Sequence, residues 1–128
     1  MSDEDGNDGS EGSSMNVDDL SRRRKMKIRG GHKAHITRLI AQVDECLDGY
    51  TNDHRSQILT YKSCLERKAD VISKLDEEIL DALDDEKQIE TEIDEAETCQ
   101  NKIRKKIIDI DMKLEDLVLN NHSAFYNY

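Results

Sequence analysis

His32 and His35 stand three residues apart, a spacing at which two imidazoles on one helical turn can share a metal ion. Neither His54 nor Cys46, Cys64 or Cys99 is placed to complete a ligand set, so no metal and no cofactor is expected. The three cysteines are odd in number and form no Cys-x-x-Cys pair, and they read as reduced thiols. Carboxylates crowd residues 76–97, where Asp76, Glu77, Glu78, Asp81, Asp84, Asp85, Glu86, Glu90, Glu92, Asp94, Glu95 and Glu97 face the single base Lys87. Acid/base catalysis needs carboxylates in a cleft that separates their pKa values, and an open acidic helix offers only a solvated face. Glycine-rich phosphate loops, nucleophile elbows and His-Glu-x-x-His are absent from the sequence. No catalytic residue is expected, and the chain reads as a non-enzyme.

The remaining chemistry is cationic. Arg22, Arg23, Arg24, Lys25, Lys27, Arg29, Lys33 and Arg38 follow one another without an acid between them. Such a run can neutralise phosphates and give salt-dependent, sequence-independent binding to nucleic acid, or serve as a nuclear import signal. Bases early in a helix and Asp44, Glu45 and Asp48 at its end oppose the helix dipole, so something other than helix stability favours them there. Folded back, the acidic stretch 76–97 would lie over this arm, with Glu78, Glu77 and Asp76 near Arg23, Arg24 and Lys25, and would compete with RNA or DNA for it.

These residues need elements to hold them, and composition limits the choice. Of 128 residues 35% are hydrophobic and 38% charged, with a formal net charge of −10, no Trp and no Pro. Globular domains run at about 45–50% apolar, so a sandwich, barrel or α/β enzyme is disfavoured and an all-α fold expected. The longest apolar runs are three residues, far short of the roughly 20 of a membrane span. The first 20 residues carry seven acids and no base, unlike a secretory or transit signal, so cytoplasm or nucleus is expected rather than secretion. Residues 1–21 read as a disordered acidic tail, 22–31 as a basic arm and 120–128 as a flexible C-terminal tail.

Between them, Ile36, Leu39, Ile40, Val43 and Leu47 recur at helical spacing and predict a first helix over 32–49, bracketed by Gly30-Gly31 and Gly49. Gly49 suits the position just past a helix end, and Thr51, Asn52 or Asp53 can cap the next helix. No Gly or Pro follows Gly49, which predicts one long helix over 53–119. From Ile58 the apolar residues keep a period of seven through Leu114, interrupted only at Lys68, Glu86 and Gln100, which implies a coiled coil. Folding back at residues 50–51 brings Ile36 to Leu65, Ile40 to Tyr61 and Val43 to Ile58, the expected core of an antiparallel helical hairpin. Cys46 would then face residue 55 rather than Cys64. Beyond residue 70 the stripe of Ile72, Leu75, Ile79, Ile89, Ile93, Ile103, Ile107, Ile110, Leu114 and Leu117 has no partner on the first helix. An exposed stripe marks an interface, expected to bind a second copy or another coiled-coil protein, preferably antiparallel, with a fold-back near Cys99-Gln100-Asn101 as the alternative that would also bring the bases at 102–106 toward acids.

The stretch Lys27-Ile28-Arg29-Gly30-Gly31-His32-Lys33-Ala34-His35-Ile36-Thr37-Arg38-Leu39-Ile40, followed by an acidic helical region, resembles the N-terminal helical segment of Gag-like polyproteins of BEL/Pao-type retrotransposons. The resemblance covers about residues 22–119 and implies a self-association element ahead of other polyprotein regions. This chain has no Cys-Cys-His-Cys knuckle and no Asp-Thr-Gly or Asp-Ser-Gly motif, so neither knuckle-based packaging nor proteolysis is implied. The resulting expectation is a coiled-coil self-association or scaffolding module. Its alternative is a nucleic-acid-binding or nuclear protein in which the coil dimerises the basic arm.

Overall fold

The computed structural model describes residues 17–126. Of the acidic tail expected at 1–21, residues 1–16 lie outside the described residues and 17–21 are helical; of the C-terminal tail expected at 120–128, residues 120–126 are helical and Asn127 and Tyr128 lie outside the described residues. Three long helices account for nearly all of the remainder: α1 (Val17–Leu47), α2 (Arg55–Asp81) and α3 (Glu86–Tyr126), with a short 3-10 turn at Asn52–His54 before α2. No strand occurs among the described residues, so the fold is all-α.

Three element boundaries differ from those read in the sequence, one being the last helix, which runs on to Tyr126 rather than ending at residue 119. The first helix starts at Val17 rather than residue 32, so the basic arm is its N-terminal half and Gly30-Gly31 lie inside it. Each internal glycine costs a helix about 1 kcal/mol relative to Ala. Side chains on both flanks of the pair offset that cost: Lys25 and Arg29 before it and Ile36 and Leu39 after it are tied into the rest of the molecule. Gly49 does terminate α1, with a φ of 93° that an L side chain rarely adopts.

The second difference is a break at 82–85 in what reads as one helix over 53–119. The N–H groups of Ala82 and Leu83 turn back to the carbonyls of Ile79 and Leu80, both at 3.1 Å. Asp85 then caps α3: its carboxylate accepts the Gln88 N–H at 2.9 Å and its carbonyl the Ile89 N–H at 3.0 Å. In an unbroken helix Asp81 would stand one turn from Asp84 and Asp85. An unbroken helix would carry that repulsion, and the break places Asp85 and Glu86 at the positive end of the α3 dipole.

The break lets the apolar seam close on itself. Ile36, Leu39 and Val43 of α1, Ile58, Leu65, Ile72 and Ile79 of α2, and Ile103 and Ile110 of α3 are each at most 3% exposed. Each such side chain gains about 1.5–3 kcal/mol from burial. Ile40 and Tyr61 pack on this cluster half-buried, as do Ile107 and Leu114. The residues expected to await a second chain therefore mostly have partners within their own. Ile72, Ile79, Ile103 and Ile110 are buried, Leu75 and Ile89 half-buried, and Ile93 is exposed. The Leu117 side chain lies outside the described part of the structure.

Polar ties set how the helices are staggered. Between α1 and α2 they join Lys25 to Glu78, Arg29 to Asp76 and His32 to Lys68, so partner numbers rise on one helix as they fall on the other. Between α1 and α3 they join Arg29 to Glu92, Lys33 to Glu95 and Asp44 to Lys106, rising together. Between α2 and α3, Lys62 meets Asp111 at 2.8 Å and Gln100 Nε2 donates to the Ala69 carbonyl at 3.0 Å. The three polar interruptions of the seam thus have distinct fates. Lys68 meets His32, Gln100 holds the α2 backbone, and Glu86 marks the first residue after the break.

Candidate interaction surfaces

Helical periodicity splits the cations of α1 beyond Arg22 into two sets. Lys25, Arg29 and Lys33 are four residues apart and turn toward α2 and α3. Arg29, only 6% exposed, binds Asp76 at 2.8 Å and Glu92 at 2.6 Å through the same nitrogen, joining all three helices at one point. Burial disfavours its charge, but the hydrogen bonds and negative charge of Glu92 and Asp76 outweigh it and raise its pKa above the usual guanidinium value. The second oxygen of Asp76 is buried without a hydrogen-bond partner among the described residues. Lys25 and Lys33 form looser pairs with Glu78 at 3.5 Å and Glu95 at 4.0 Å.

Arg23, Arg24, Lys27 and Arg38 point the other way. All four are exposed and none has an ion pair among the described residues. Gly30, Gly31 and Ala34 lie among them, also exposed, and a Cβ added at either glycine would meet nothing within 4 Å. The outer face is a smooth helical ridge carrying cations over about 22 Å from Arg23 to Arg38. Arg22 belongs to neither set: it is half-buried and pairs with Asp19 one turn away at 3.6 Å.

A groove of about 520 Å³ runs between α1 and α3, with Ile36, Ile40 and Cys99 on its floor and Lys33, Lys102 and Lys106 on its rim. Burial raises the pKa of the Cys99 thiol and likewise that of Cys46, so both are poor nucleophiles at neutral pH. Cys46, Cys64 and Cys99 are all free. No group of three or more His, Cys, Asp or Glu residues is arranged to hold a metal ion among the described residues. Among them, no helix is long and apolar enough to cross a membrane.

From the sequence, residues 22–33 read as one basic patch, whereas the structure divides it into three cations that tie helices together, Arg22 half-buried beside Asp19, and others that face solvent. The sign was in the spacing. Arg29, Ile36 and Val43 are separated by seven residues each, which puts Arg29 on the buried stripe. What spacing could not name was its partners, since Glu92 reaches Arg29 only because the chain breaks at 82–85. No family model, curated protein or solved structure shows significant similarity to this chain.

Proposed function

We propose that this chain is a non-enzymatic helical association module, a scaffold whose α1 and α2 form an antiparallel hairpin and whose α3 extends the same coiled-coil seam. The observation that carries the reading is the apolar surface left once the inner seam is filled. On α3, Ile108 and Met112 lie one turn apart on the outer face, 48% and 60% exposed, and Ile93 is 42% exposed. A helix that buries Ile103 and Ile110 on one side and shows Ile108 and Met112 on the other has a second face fit for another chain. The resemblance of residues 27–40 to Gag-like helical segments supports a self-associating role of the same kind. Sedimentation equilibrium over a wide concentration range is the test. The apparent mass is expected to rise above 14.7 kDa toward twice that value as concentration increases. A mass fixed at 14.7 kDa throughout refutes the reading.

A second reading rests on the unpaired outer cations. Arg23, Arg24, Lys27 and Arg38 supply four positive charges to a polyanion, and neutralising about four phosphates of duplex DNA gives a slope of about −3.6 in log K against log salt. Fluorescence anisotropy with a labelled duplex between about 50 mM and 200 mM salt reads this slope. Replacing the four by Gln removes the binding on this reading. Retention of the slope in that variant refutes it.

A further inference from the structure

We propose that the turn at 82–85 is a hinge and that two copies exchange α3, each copy opening α2 and α3 into one continuous helix that completes the other's bundle. The inference rests on the association reading above and gives that association a further route, through the inner seam rather than the outer face of α3. Three observations carry it. The segment Ala82-Leu83-Asp84-Asp85 contains no Gly or Pro, so nothing in its backbone forbids a helix. The seven-residue register crosses it without a shift, from Ile72 and Ile79 through Ile93 to Ile107 and Leu114, whereas a permanent turn would leave the phases of its flanking helices unrelated. The cross-ties between α2 and α3 are also centred on the hinge: the midpoints of Lys62–Asp111 and Ala69–Gln100 fall between residues 84 and 87.

That centring supplies the geometry. With α2 and α3 straightened into a rod of about 108 Å, a two-fold axis at the hinge lays α3 of each copy where the other copy's own α3 would lie. Ile72, Ile79, Ile103 and Ile110 are buried in both forms. Arg29 keeps Asp76 from its own chain and receives Glu92 from the partner instead of its own. Lys62–Asp111 and Lys106–Asp44 likewise become ties between chains. Because closed and exchanged forms share these contacts, their balance is set by the hinge. The Asp85 cap and the repulsion among Asp81, Asp84 and Asp85 favour the turn, and removal of the cap favours the rod. Replacing Asp85 by Ala removes the cap and places a strong helix former in the rod. The expected shift is roughly fivefold per chain and roughly 25-fold in the dimer dissociation constant.

The test uses the full chain with its own ion pairs as reporters. Equal amounts of 14N- and 15N-labelled protein are refolded together from urea at several concentrations. A carbodiimide then joins Lys62 to Asp111, and the cross-linked peptide is read by mass spectrometry. Mixed-label cross-links are expected to increase with concentration, to increase further in Asp85→Ala, and to vanish when Gly-Ser-Gly is inserted between Leu83 and Asp84, which keeps the turn but breaks the rod. A dimer whose Lys62–Asp111 cross-links all carry one label overturns the exchange while leaving association through the outer face of α3. A monomer at every concentration, in both the native chain and Asp85→Ala, overturns the exchange and the association reading together. Should Asp85→Ala fail to fold, the native chain and the insertion variant alone decide.

Discussion

Replacing Arg29 by Leu removes a cation that touches all three helices, and its consequence follows from burial and distance. Arg29 is 6% exposed and Asp76 7%, and the two are 2.8 Å apart with Glu92 at 2.6 Å from the same nitrogen. Without the guanidinium, Asp76 is left with one oxygen that already lacks a partner and another that has lost its own. Stranding one member of a buried ion pair costs about 3–5 kcal/mol, whereas replacing the whole set with apolar side chains of similar volume is neutral or stabilising by about 1–4 kcal/mol. Arg29→Leu is therefore expected to lose about 3–5 kcal/mol of the roughly 5–15 kcal/mol that holds a domain folded. The triple variant Arg29→Met, Asp76→Leu, Glu92→Leu should recover most of that loss. Urea unfolding followed by circular dichroism measures both, with the transition slope checking that the unfolded state is unchanged. A loss under about 1 kcal/mol for the single variant, or a triple variant no more stable than the single, would refute the view that Arg29 serves its two carboxylates.

Other positions test the remaining levels of the structure. Ile72→Ala and Ile110→Ala, both at fully buried sites, should each cost about 2–5 kcal/mol in the same unfolding assay. Ile108→Ala on the outer face should change stability by less than about 0.5 kcal/mol, and equal losses at all three sites would contradict the burial pattern. Gly30→Ala and Gly31→Ala should each stabilise by about 0.5–1 kcal/mol, because both glycines are helical and open on the Cβ side; a loss in thermal unfolding would show that the helix bends there. His32 has a pKa below the usual histidine value because of burial first and then the positive charge of Lys68 and the neighbouring His35. The unfolded chain therefore takes up a proton that the folded one resists. Stability is full above the ordinary value of 6.5, falls as pH drops through it, and levels off below the folded-state pKa. His32→Gln should flatten the histidine-dependent part of this decline between about pH 7.5 and 5.5, and an unaltered profile would remove His32 as its source.

Much of this architecture was legible in the residues because helix formation and side-chain periodicity are local. The absence of Gly and Pro after Gly49, the return of isoleucine and leucine every seventh position, and the low apolar content together require helices that bury one stripe and wet the rest. Ile36, Val43, Ile58 and Leu65 could be placed on that stripe from spacing alone, as Arg29 could have been, and Gly49 marked the end of the first helix for a reason internal to its own backbone. Where the stripe finds its partner is a different kind of question. The same isoleucines can be covered by a second chain or by a fold-back of their own, and the choice falls to a few kilocalories at Ala82–Asp85, where a capping carboxylate and crowded negative charge compete with an unbroken helix. Only the tertiary structure decided that the turn forms there, that Glu92 thereby reaches Arg29, and that the basic run divides into ties and a free outer ridge. Periodicity fixes which face a residue lies on, while distant charges meet only once the chain's path between them is set.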